Sequence, residues 1–143
     1  MGKKFDAAHE ALKKAERELE DLEVQHVKQV YQFEQRFMLL EDKKRFLENL
    51  IREKSDAVMA HLQRSIADVS EQLTVHHQMT SQFMNETEDQ YRHYKRQLDD
   101  EFEYFEDNYR REHQRKIDRV TLAKRQRDLA FQEDIDDRKR DLY

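Results

Sequence analysis

From Phe5 to Ser70, apolar side chains return every three or four residues, the spacing of an amphipathic helix. Leu12, Ala15, Leu19 and Leu22 form one heptad stretch. After a shift through Val27, a second stretch runs through Val30, Phe33, Phe37, Leu40, Leu47, Ile51 and Val58, with Lys44 at a core-type position. A 3.5-residue repeat implies a left-handed coiled-coil seam, and one helix alone would leave that stripe in water. The C-terminal half keeps another period. Leu98, Tyr109, Val120, Phe131 and Leu142 recur every eleven residues, beside a row of Tyr91, Phe102, His113 and Ile135 that Lys124 interrupts. Eleven residues in three turns suit a straight or slightly right-handed helix, so the two halves are not expected to share one uniform supercoil.

These patterns predict an all-α fold, a long antiparallel helical hairpin resembling a coiled coil, with a three-helix arrangement as the alternative. The whole chain, 1–143, is expected to form a single elongated domain. Its first arm covers about 5–72, the bend about 73–80 and the second arm about 81–143. The bend is placed there because Gln72 to Met84 lies in the longest stretch without Lys, Arg, Asp or Glu and contains Thr74, His76, His77, Thr80 and Ser81, all weak helix formers. Rival breaks are Ser55-Asp56 and Asn85-Glu86-Thr87, the latter with capping-box spacings to Glu88 and Gln90. A hairpin is preferred to an uninterrupted rod.

Composition supports this reading. One glycine and no proline in 143 residues leave β-hairpins and Gly-cornered sheets without their usual turn residues. Hydrophobic residues make up 36%, enough for a narrow stripe and too few for a thick core. Lys and Arg number 27 against 32 Asp and Glu, a balance that argues against nucleic acid as a partner. No cysteine is present, which excludes disulfides and thiolate metal sites. No apolar run approaches the roughly 20 residues of a membrane span. The expected compartment is the cytoplasm, with export alongside a partner as the open alternative.

Candidate chemistry is sparse. None of the seven histidines stands four residues from another, so no two imidazoles share a helix face, and no metal or other cofactor is expected. There is no G-x-S-x-G, phosphate-binding glycine loop or cysteine nucleophile, and an enzyme is not expected. Two charge blocks are less ordinary: residues 99–107 carry six acids and no base, and 110–127 carry eight bases against two acids. They suit either a register code between helices or a docking surface, with nucleic acid a distant third. Aromatic residues are 10% of the chain, many for a plain coiled coil. Phe102, Phe105 and Tyr109 lie on one stripe beside acids, and Tyr91, Tyr94, Phe33 and Phe37 are the other rings bulky enough to meet a partner. These seven are the candidate partner-binding residues.

The stretch from Tyr91 to Tyr143, with its acidic-aromatic FEYFEDNY, basic RREHQRKIDR and closing DIDDRKRDLY, resembles the small all-helical targeting factors that accompany LXG-domain toxins of the type VIIb secretion system. The resemblance rests on overall form and the last third of the chain, with no sharp motif. It implies a non-enzymatic chaperone that binds the helical LXG region of a toxin, together with a second small helical factor, and makes the complex competent for export. One type of partner carries Phe or Tyr followed four residues later by an acid. Here only Phe37 to Glu41 and Phe102 to Glu106 fit, both with Glu, and no Tyr version occurs. The chain thus resembles an accessory member lacking the export signal. From the residues alone, the alternative is a self-associating coiled-coil scaffold; a homodimer is compatible with either reading.

Overall fold

The computed structural model describes residues 2–142. Two helices, α1 (Lys3–Gln63) and α2 (Ser70–Leu142), pack against each other as an antiparallel hairpin. No strand occurs among the described residues. Contacts gather into two units. A terminal unit combines the residues up to Tyr31 with those from Glu103 onward, and a loop unit spans Gln32–Phe102.

The terminal unit contains the tightest packing. Leu12 is 1% exposed and meets Val120 and Ala123 of α2, with Ala15 and Leu19 packed alongside. Leucine on one helix faces small side chains on the other, which lets the backbones approach and lets thin helices bury something fully. Ala130 is also buried. Cross-helix polar contacts fix the register within this unit: ion pairs of Glu18 with Lys116 and Arg119, and side-chain contacts of Glu23 with His113 and of His26 with Glu106. Parts of the two charge blocks thus reach across to α1.

At the start of α1, Asp134 supplies from α2 what the local sequence omits. The first amides of a helix lack internal partners, and Gly2, whose carbonyl accepts the first helical hydrogen bond from Asp6 N, has no side chain with which to cap. Instead the buried Asp134 carboxylate accepts a hydrogen bond of 3.0 Å from Phe5 N. A Cβ on residue 2 would collide with that carboxylate, so glycine makes room for the borrowed cap. The negative charge also lies at the positive end of the helix dipole.

The loop unit is held by Phe33 and Phe37 against Phe102, by Arg36 on Glu101 and by Lys44 on Glu88. Lys44, at its core-type position, also sets its ammonium 4.5 Å over the Tyr91 ring. Its stem covers apolar surface while its head reaches an acid and an aromatic face.

The chain reverses over residues 64–69, earlier than the expected bend at 73–80, and the residues of that stretch belong to α2. Ser55-Asp56 and Asn85-Glu86-Thr87 are likewise helical. α1 ends on tightened bonds, Arg64 N to His61 O and Ser65 N to Leu62 O. α2 then starts through Asp68, whose Oδ1 accepts from both the amide and the hydroxyl of Ser70. Those two donors hold the Asp68 carboxyl below its ordinary range, the hydroxyl contributing most. No described residue has positive φ, so the turn needs no glycine. Lack of charge at 72–84 marks an apolar helical face, described below, and not a break.

Replacing Asp134 with Ala is expected to cost about 1 kcal/mol, the usual worth of a helix cap, and Gly2→Ala to destabilise in the same direction. Thermal melts of both variants by circular dichroism check this, with Asp134→Asn, which keeps an acceptor, expected to fall between Asp134→Ala and the parent.

Candidate partner-binding surfaces

The seven aromatic candidates divide by position. Phe33, Phe37 and Phe102 meet edge to face in the loop unit, with ring centroids 5.1 Å apart for Phe33–Phe102 and 6.4 Å for Phe37–Phe102. In the terminal unit, His26 is stacked on Tyr109 at 3.6 Å and on Phe105 at 5.6 Å. All five rings are half-buried and bridge α1 to α2. The sequence places the α2 rings on one stripe; the structure shows α1 filling much of it, with His26 as the unanticipated participant. Burial, together with the nearby Glu23 and Glu106 carboxylates, raises the Tyr109 phenol above its ordinary range. Tyr91 lies under Lys44, while Tyr94 is 54% exposed.

Two grooves of the loop unit expose large apolar side chains. The smaller lies on the flank, a groove of about 480 Å³ between α1 and α2, floored by Leu40 and the buried Leu98. Half-exposed Leu39 and Tyr94 form its walls, and Arg36, Lys43 and Glu101 its charged rim. Arg36 holds both Glu101 oxygens at 2.8–2.9 Å. This keeps the Glu101 carboxyl below its ordinary range, the Arg36 hydrogen bond being the largest cause.

The larger surface is a groove of about 1130 Å³ beside the loop. Leu50, Val58 and Leu62 line one wall, and Val75, Met79 and Phe83 line the other. The last three recur every four residues and are each about half exposed, at 52%, 50% and 51%. They form an unfilled helix stripe inside the charge-free stretch. Its middle is bridged by a single polar contact, Ser55 Oγ to His76 Nε2 at 2.9 Å. Two small or polar residues there cannot seal the seam as Leu12 and Ala123 do. Sequence reasoning missed this site although the i, i+4, i+8 signal was present; weak helix propensity masked it.

Among the described residues, no group of three or more His, Asp or Glu is placed to hold a metal ion, and no helix is long and apolar enough to cross a membrane.

Because Phe102 and Phe105 cross the seam half-buried, replacing both with Ala is expected to cost about 2 kcal/mol each, roughly half the cost for a fully buried ring, and chemical denaturation of the pair measures it. A second expectation concerns acid. Hydrogen bonds from Lys44 to Glu88 and from Arg36 to Glu101 hold both carboxyls below their ordinary range in the folded chain. Their stabilisation is present above that range and is lost as pH falls through the depressed folded values. Melting temperature should therefore drop below about pH 4, and less in a Glu88→Gln/Glu101→Gln variant; high salt should shrink the difference, since both pairs are partly exposed.

No protein-family model, no curated protein and no solved structure matches this chain.

Proposed function

We propose that the protein is a non-enzymatic helical adaptor that lends its hairpin to the helices of another protein, in the manner of an accessory targeting factor for an LXG-domain toxin. The observation that carries this reading is the flank groove of the loop unit, where Leu39 and Tyr94 stay half exposed over a floor of Leu40 and Leu98. Aromatic and leucine anchors inside a rim of both charge signs suit an amphipathic helix, which can set its apolar face on Tyr94 and Leu39 and meet Lys43 and the Arg36–Glu101 pair with its own charges. Tyr94 is the candidate ring with the most surface to offer; Phe33, Phe37, Phe102, Phe105 and Tyr109 support the hairpin that presents it. The LXG region as the helical partner, and a second small factor beside it, come from the sequence resemblance.

Leu39→Asp with Tyr94→Asp is expected to leave helicity and melting nearly unchanged, because both side chains are already half in water, while lowering capture of the partner at least tenfold, as loss of an interface anchor does. Co-purification from the native cell with mass spectrometry, followed by pull-down of the helical LXG regions found there, measures this. Failure of the parent chain to retain any such region would overturn the toxin assignment, and equal capture by the double variant would remove the flank from the binding site.

A further inference from the structure

We propose that the larger groove is closed by a second copy of this chain, the two loop ends overlapping antiparallel as a four-helix bundle. The inference concerns a different surface from the flank and does not depend on the adaptor reading.

The groove's chemistry selects its occupant. Across 72–84 its α2 wall carries no Lys, Arg, Asp or Glu, so it offers a charged partner little to pair with, whereas another copy brings an equally uncharged stripe. Only two charged side chains line the groove, Lys54 on α1 and Glu71 on α2. Neither makes an ion pair among the described residues. They are of opposite sign and at different heights. The Ser55–His76 and Lys44–Glu88 contacts set the pairing of the helices, which places Glu71 level with the last turn of α1 and Lys54 roughly 10 Å further from the loop, at 1.5 Å per residue.

A two-fold axis through the middle of the groove lays the loop end of each copy over the inner end of the other, where Leu50 and Phe83 stand. The same operation brings Lys54 of each copy level with Glu71 of the other, diagonally across the groove that both line, so one placement satisfies apolar overlap and both charges. An isologous interface requires this reciprocity. Ile66 at the apex of the turn is fully exposed at 104% and belongs to no packed cluster. In the overlapped pair it lands near Leu50 and Phe83 of the second copy, which gives the most exposed large aliphatic residue of the chain an apolar neighbourhood. A face two helices wide and about 20 Å long buries area at the lower end of the stable-interface range, so the dimer should form in the micromolar range.

Sedimentation velocity of the full chain from low to high micromolar concentration tests this. The parent should pass from monomer to dimer, and Val75→Glu/Met79→Glu should remain monomeric with unchanged helicity. Lys54→Glu alone and Glu71→Lys alone should each weaken dimerisation about tenfold. A mixture of these two single variants should associate more tightly than either by itself, because across the axis every pair is then again opposite in sign. A parent that stays monomeric throughout, or a dimer that survives Val75→Glu/Met79→Glu, would overturn the proposal. A mixture no tighter than the separate variants would overturn its antiparallel register.

Discussion

Two helices in contact can each bury one stripe, and apolar side chains beside that stripe stay at least partly in water. This limit governs the molecule. Complete burial is reached at Leu12, where alanine on α2 lets the backbones come close. Elsewhere the seam uses rings and long charged stems that stay half-buried, such as Phe33 on Phe102 and Lys44 on Tyr91. Because little area is enclosed per turn, register falls to specific pairs. Arg36 holds Glu101 where the residues one turn away on α2, Gln97 and Phe105, could not take its place. The charge blocks find their use here: a like-charged run disfavours a lone helix but specifies which segment of the opposite helix it faces.

The same thinness explains what could be read from sequence. The heptad of Leu12, Ala15 and Leu19 and the α2 row of Leu98 and Val120 are legible because large apolar residues repeat at helical steps, and together they imply a hairpin. Ala123, Ala130 and Asp134 are as buried as any position in α2 yet carry no signal. An alanine is common on either face of a helix, and an aspartate among other acids reads as solvated. Asp134 acquires its role only when the fold brings α2 beside the first turn of α1, a relation between residues 129 positions apart.

The turn is hard to place from sequence for a related reason. With no proline and no internal glycine, the chain marks its reversal only through Asp68 and Ser70, with Glu71 at capping-box spacing from Asp68. Those residues are ordinary within so polar a chain. The more conspicuous feature, the uncharged and β-branched stretch from Gln72 onward, invited a break there. Intrinsic propensity is a weak prior, and a stretch long enough to pack on α1 is helical despite it.

Charge separates the two open surfaces of the loop unit more sharply than size does. The flank groove has Arg36, Lys43 and Glu101 at its edge, groups that another protein can answer with a pattern of its own, and such rims discriminate among partners. The groove beside the loop offers no such pattern beyond one charge of each sign, Lys54 and Glu71. Selectivity for a foreign helix would then rest on apolar contact alone, which discriminates poorly between partners of similar shape. A second copy is the one partner whose apolar stripe and opposed charges match by construction. The fourteen consecutive residues from Gln72 to Asn85 without formal charge fit such a pairing, because a charge on that wall would be buried against an equally uncharged stripe of the other copy.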